Sequence, residues 1–473
     1  FCRMPDLRRD ENPSVQYTQV VVEDEEVTVL EMGSGRILGS TFNLANAALG
    51  AGMLSFPYAM NKAGMVGVVL LTFALTGFAW GTLEILARSA EKYKARSYQD
   101  MVLKAFGRKL SIMINVCIGI YCFGACIAYL IVMGDQLEPL FQSISKHSFF
   151  TQRAPIIVSF AVVLILPLCL LRRISALSYS SFLATAAVVY LCLVVMVLGL
   201  IGTHDSNGNP TPSLIHNPHA ALENIMPFHW DATALQAIPI ICFAFQCHLS
   251  CIPIYAELRD RRVATMRKVI GLTLLLCIIV YCITAFFGII TFGTATVSDV
   301  LLNYSSSAPS IIAARMAIAV VGVCSYPLLQ FVGRLALSDM FEFLFPAFFA
   351  PQRPPATGLH LEDQLIPAVA PPDGSITICN SGPLMLLTGV FFVTTTTLGA
   401  VIKDINVVIG FTGSTIAVFV MFIFPGILSL KKLGAAPKAK GDRRAGYFYI
   451  VFGVVVCIIS LSVSVWSDVT GTG

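Results

Sequence analysis

Charge is what this chain has least of. Asp, Glu, Lys and Arg together make up 12% of its 473 residues, about half of what a soluble domain carries. That excludes a water-soluble globular fold for most of its length. Missing as well is any Gly-x-x-x-x-Gly-Lys-Ser/Thr loop, so ATP hydrolysis does not drive this protein directly. His-Glu-x-x-His, Gly-x-Ser-x-Gly and Cys-x-x-Cys patterns are absent, which sets enzyme chemistry aside. The opening Phe-Cys-Arg-Met-Pro lacks the apolar core of a cleavable signal peptide, and a start at Phe suggests a trimmed sequence. The net charge of +4 says little, because its distribution is what matters, and no nucleic-acid partner is expected.

What is present is hydrophobicity, 56% of residues, in repeated runs near 20 residues long. Such runs are membrane helices. Eleven spans are expected, at about 35–60, 64–87, 110–134, 154–171, 176–201, 234–256, 269–292, 309–335, 383–401, 406–429 and 446–467. The weakest boundary separates the fourth and fifth, where Pro167 precedes Arg172 and Arg173. With the N-terminus inside, about 26 of the 31 basic residues fall on the cytoplasmic side. That asymmetry predicts an inside N-terminus and an outside C-terminus. Residues 1–32, with an acidic cluster at Glu23–Glu26, read as a disordered cytoplasmic tail. The Pro-rich 351–372 reads as an extended linker. The sequon Asn303-Tyr304-Ser305 falls in an expected outer loop. The 14 cysteines lie almost all inside apolar runs and read as core residues.

The first span is unusual. It reads Asn43-Leu-Ala-Asn46-Ala-Ala-Leu49-Gly50-Ala51-Gly52-Met53-Leu-Ser-Phe-Pro57. Glycine weakens a helix by roughly 1 kcal/mol relative to alanine. In hydrocarbon each freed backbone group costs several kcal/mol more unless something binds it. A break here is tolerated where it lines a cavity, as in secondary transporters; the alternative is close helix packing on small residues. The sixth span repeats the feature, with Pro239 and Pro253 near its ends and Gln246-Cys247-His248 between. It runs opposite to the first. Matching breaks in two halves predict an inverted repeat, spans one to five (about 35–201) and six to ten (about 234–429), with an extra helix at about 446–467.

The two breaks offer chemistry. The second half of span one presents the amides of Ala51, Gly52 and Met53 at a positive helix end, suited to a carboxylate. Carbonyls near Asn46 to Leu49 form a negative end, suited to a cation. Carbonyls around Phe243, Ala244 and Phe245 are candidates for an ammonium group, and both phenylalanine rings for a side chain. Asn46 is either a sodium ligand or a partner in an interhelical hydrogen bond. Ser325, beside Pro327 in span eight, either adds a hard oxygen to the sodium site or bonds back to its own helix. His248 is a proton-coupling candidate or a structural hydrogen bonder. Glu84 beside Arg88 reads as an interfacial ion pair, Asn115, Tyr121 and Tyr129 as pocket wall or packing, and Thr394–Thr397 as a pore face or a self-satisfied run. The spans' centres hold no unpaired acid, which disfavours cationic substrates.

These residues resemble a known family. Phe42-Asn43 through Pro57-Tyr-Ala is similar to the first span of the amino acid/auxin permeases, nearest to the sodium-coupled neutral amino acid transporters. Four more stretches are similar to that family in order and spacing: Ser97-Tyr-Gln-Asp100 to Gly107, Pro239 to Glu257, Thr291-Phe-Gly293 to Tyr304, and Ile409 to Pro425-Gly. Together they cover about residues 35–467. The resemblance implies an all-α polytopic fold of two inverted five-helix repeats, LeuT-like, plus one helix, within a transporter domain at 33–467. It places the sodium-binding asparagine on Asn46. The family's span-eight threonine falls on Ser325, which keeps the hydroxyl and loses the methyl. The outer-loop cysteines that some members cross-link are absent.

The expected function is secondary active transport of small neutral amino acids, glutamine or alanine-like, by sodium symport. Proton coupling, a slowly transporting amino-acid sensor and a channel are the alternatives. The substrate set is Leu49, Gly50, Ala51, Gly52, Met53, Phe243, Ala244 and Phe245. The sodium set is Asn46, Leu49 and Ser325. No organic cofactor is expected, with Na+ or H+ as coupling ion. The host is a lipid bilayer, plasma membrane or lysosomal/vacuolar.

Overall fold

The computed structural model describes residues 19–23, 26–30, 36–144, 152–170, 178–223, 225–229, 232–344, 382–431 and 436–470. The Arg172-Arg173 link and the Pro-rich 351–372 lie outside these. Within the segment expected to be a structureless tail, β1 (Gln19–Glu23) pairs antiparallel with β2 (Glu26–Leu30). The reason is local: valines dominate both strands, and β-branched residues favour extended backbone.

Among the described residues, the other regular elements are helical. The first span is broken: α1 (Ile37–Ala48), a 3-10 turn at Ala51–Ser55, then α2 (Phe56–Ala63), with a 56° bend. Pro57 sits in the first turn of α2, where its missing N–H costs nothing. Next come α3 (Met65–Tyr93), the short α4 (Tyr98–Phe106) and α5 (Arg108–Ile144). α6 (Arg153–Phe160) runs through a π turn at Ala161–Ile165 into α7 (Leu166–Cys169), and α8 (Ser178–Ile201) follows. After the short α9 (Pro218–Glu223) comes the second broken span, α10 (Ala237–Ala244) and α11 (His248–Glu257). Then follow α12 (Val263–Phe292), α13 (Pro309–Leu344) and α14 (Gly382–Val401). α15 (Ile405–Thr412) passes through two π turns into α16 (Phe424–Ser429), and α17 (Ala436–Thr470) is the last.

Eight of these segments are long and apolar enough to cross a bilayer, nine with the bent α1–α2 pair. Arg153–Cys169 and Met385–Val401 are shorter apolar helices. Two packed groups emerge. In one, α13 lies along α5, with α14 and α6 beside them; in the other, α12 packs on α1, α2 and α3, and α11 on α3. α17 packs on α16 and is only 28% buried along its apolar window.

Two helices outrun their expected ends. α5 continues past residue 134 to Ile144, and α13 past residue 335 to Leu344. Hydropathy falls there because Asp135 and Gln136 follow the first end and Asp339 the second. The helix continues because these groups have partners inside the protein instead of facing lipid, Asp135 with Arg153, Gln136 with Asp299 and Asp339 with Asn115.

Candidate functional site at the two helix breaks

The backbone opens at the same depth in both broken spans. In the first, Leu49 N–H bonds Ala45 O and Gly50 N–H bonds Ala48 O, after which helical pairing stops until Met53 N–H reaches Gly50 O. Among the described residues no backbone acceptor pairs with the Ala51 and Gly52 amides, and no backbone donor with the Leu49 carbonyl. In the second, Phe245, Gln246 and Cys247 carry non-repeating turns: Gln246 N–H bonds Phe243 O and Cys247 N–H bonds Phe245 O.

The breaks touch. A Cβ on Gly52 would lie 2.8 Å from the Ala244 Cβ and 2.9 Å from its Cα. Only glycine permits this approach. Gly52 is thus the contact between the broken spans. Gly50 faces the other way, and a Cβ there would run into the Tyr129 hydroxyl. Tyr129 also lies beside Ser325 and the Ala51 backbone. It stands where a small polar group would meet the break.

Sequence reasoning missed Tyr281. From α12 its hydroxyl lies 2.8 Å from both the Ala48 carbonyl and the Ala244 carbonyl. One phenol hydroxyl thus lies against a carbonyl from each broken span; Ala48 O also accepts Gly50 N–H, while Ala244 O has no backbone donor among the described residues. Of the carbonyls expected to await an ammonium, Ala244's is engaged by Tyr281, while those of Phe243 and Phe245 accept backbone amides. The Tyr281 ring stacks on Phe56 (centroids 4.4 Å apart, 13° between planes) and meets Phe245 edge-on at 5.0 Å. A tyrosine in an apolar run reads as core, so no sequence signal marks it.

Two side-chain oxygens of the sodium set are buried without partners. The Asn46 amide nitrogen lies 3.4 Å from the Ser181 hydroxyl on α8, while its Oδ1 is buried without a partner. The Ser325 hydroxyl is also buried without a partner. Orphaned buried oxygens are costly unless a ligand meets them. Ser325 faces Tyr129 and Asn46 faces α8. His248 is fully buried, its Nε2 3.0 Å from the Thr82 hydroxyl and its Nδ1 without a partner.

The remaining candidates settle into structural roles. Glu84 pairs with Arg88 and with Arg267 at 2.6 Å, and Arg88 reaches Asp442 at 3.3 Å, so three helices share the pair. Asn115 donates to Asp339 at 3.0 Å. Tyr121 packs against Phe243, centroids 6.2 Å apart. Thr394, Thr395 and Thr397 bond back to their own helix, and Thr395 also meets the Tyr326 hydroxyl at 2.6 Å. The sequon asparagine is engaged too: Asn303 Nδ2 donates to Ala295 O at 2.8 Å.

Against this geometry, the sequence model of the transmembrane amino acid transporter protein family matches residues 33–466. The chain belongs to that family. Its members are transporters, and this transporter is not an enzyme. It is 29% identical over 459 residues to "Sodium-coupled neutral amino acid transporter 7" of Danio rerio, covering 95% of this chain and 89% of that one. The Homo sapiens protein of the same name is 30% identical over 449 residues, covering 93% and 88%. "Solute carrier family 38 member 8" of Mus musculus is 30% identical over 409 residues, covering 85% and 86%. Among solved structures, MhsT in complex with L-phenylalanine superposes with a TM-score of 0.51 over 91% of this chain and 99% of that one, at 13% identity. That likeness is one of fold.

Proposed function

We propose that this transporter carries small neutral amino acids by sodium symport, with both ligands bound where α1–α2 and α10–α11 break. The observation that carries this reading is the pair of breaks in contact at Gly52 and Ala244, with the buried oxygens of Asn46 and Ser325 left without partners. The Leu49 carbonyl, with no backbone donor among the described residues, is the third oxygen of the cation set. Hard cations take such neutral and carbonyl oxygens. The substrate carboxylate meets the Ala51 and Gly52 amides at a positive helix end, displacing Tyr129's hydroxyl from the Gly50 face. Phe243 and Phe245 bound its side chain, with Leu49, Gly50, Met53 and Ala244 as the floor.

The named relatives support a neutral substrate and sodium coupling. The eight long spans, the bent pair and the two shorter apolar helices add to eleven crossings in this reading, N-terminus inside. Radiolabelled glutamine uptake into proteoliposomes tests it, with a sodium gradient, a proton gradient, or neither. Sodium-driven accumulation is the expected result. Accumulation driven only by protons moves the coupling to His248. Saturable binding without accumulation makes the protein a sensor.

A further inference from the structure

An asparagine side chain has two unlike ends. Its carboxamide carries an oxygen that accepts and an NH2 that donates, nearly alike in shape. A cation is drawn to the oxygen and repelled by the nitrogen. Asn46 can therefore serve a cation only if its nitrogen is turned away and paired. Left buried without an acceptor, that nitrogen would be costly.

The acceptor stands on α8. Asn46 Nδ2 lies 3.4 Å from Ser181 Oγ, and the two residues are 7% and 8% exposed. Among the described residues no other group pairs with this carboxamide, whose Oδ1 is buried without a partner. At this length the hydrogen bond needs its helices held, and they are. One turn before Asn46, the Phe42 carbonyl lies 3.5 Å from Thr185 Oγ1, and the Phe42 ring meets Phe182 edge-on at 5.8 Å. Thr185 follows Ser181 by one turn and bonds its carbonyl at 2.9 Å. Thr273 of α12 reaches the Thr41 carbonyl at 3.3 Å. Residues four apart share a helix face. Phe42 and Asn46 thus meet α8 with one side of α1, and Ser181 and Thr185 answer from one side of α8.

An interhelical hydrogen bond is the ordinary role of such a pair. That role leaves the oxygen unexplained, an acceptor with no donor two residues from the end of α1.

We propose that Ser181 is the positioning residue of the sodium site: it takes the Asn46 nitrogen, so that Oδ1 and not Nδ2 is presented to the ion. The inference rests on Asn46 belonging to the cation set proposed above. Ser181 acts through the carboxamide and has no need to touch the ion. Without it sodium still finds Oδ1, but binding then holds the NH2 buried and unpaired, so the ion is bound more weakly.

Sodium titrations of glutamine uptake test this, with sodium-dependent melting in detergent as a readout that needs no transport. Ser181→Ala is expected to raise the half-saturating sodium concentration several-fold, with a smaller effect on maximal uptake. Ser181→Cys, close in volume but a weak acceptor, is expected to move it the same way. In Asn46→Asp the ionised carboxylate accepts at both ends, and orientation ceases to matter. Adding Ser181→Ala to that chain is expected to produce little of the shift seen in the native one. A half-saturating concentration unmoved by Ser181→Ala, or a loss confined to maximal uptake, overturns the positioning role and leaves the sodium site. An equal shift in the native and Asn46→Asp chains does the same. If uptake and melting of the native chain both ignore sodium, the sodium reading is overturned and the positioning role falls with it.

Discussion

Tyr281 and Ala48 are joined across the bundle, the phenol oxygen 2.8 Å from the carbonyl. Because the same hydroxyl stands equally close to Ala244 O, its single proton satisfies one broken span at a time. Tyr281→Phe keeps the stack on Phe56 and removes the shared hydroxyl. We expect it to lower stability by about 1–3 kcal/mol, the cost of leaving the buried Ala244 carbonyl unpaired while Ala48 O keeps Gly50 N–H. Thermal unfolding in detergent measures this. Added sodium should recover part of the loss if a cation meets the freed oxygens, and no recovery would separate Tyr281 from the ion.

Gly52→Val is expected to abolish uptake. A side chain there meets the Ala244 backbone, and crowding of this kind costs about 1–3 kcal/mol and moves backbone. Gly50→Ala is expected to be milder, because the obstacle is the end of one side chain, Tyr129. Pairing Gly50→Ala with Tyr129→Phe should restore part of the loss, and uptake assays on the four chains decide. Normal uptake by Gly52→Val would show that the breaks need not touch.

Asn46→Ala is expected to raise the sodium concentration for half-maximal uptake roughly tenfold, about 1.4 kcal/mol, with little change in protein abundance. Ser325→Ala should do likewise, and Ser325→Thr should restore activity. Sodium titrations of uptake would remove either residue from the ion site if its curve is unmoved.

The sequon at Asn303 is expected to stay unmodified in the folded protein. Its amide holds Ala295 O, its Oδ1 accepts Val297 N–H at 3.0 Å, and Tyr304 is fully buried beside it. Asn303→Gln should therefore leave electrophoretic mobility unchanged while loosening the outer segment. A glycosidase-sensitive shift of the native chain would show that the segment opens before it docks.

The breaks were legible because Gly50, Gly52 and Pro57, and later Pro239 and Gln246, disturb helices in a way hydrocarbon does not forgive. Their partners were not. Tyr281 looks like any buried aromatic until the backbone around it is seen to lack hydrogen bonds, and Tyr129 reads equally as pocket wall or as packing. Asp135 and Gln136 read as the end of a span, because hydropathy registers polarity and cannot register the partner that meets it from another element. The hairpin at Gln19–Leu30 was hidden for the reverse reason, its valines outweighed by the acids around them.

The two π turns between α15 and α16, Gly413–Ala417 and Phe419–Ile423, each hold a residue more than an α-helical turn would. In an ordinary helix, losing one residue rotates everything beyond it by about 100°. Here a deletion between Gly413 and Ile423 would close a bulge and leave α16 facing α17 as before. The chain can therefore change length at this level of the bundle without changing the faces it presents.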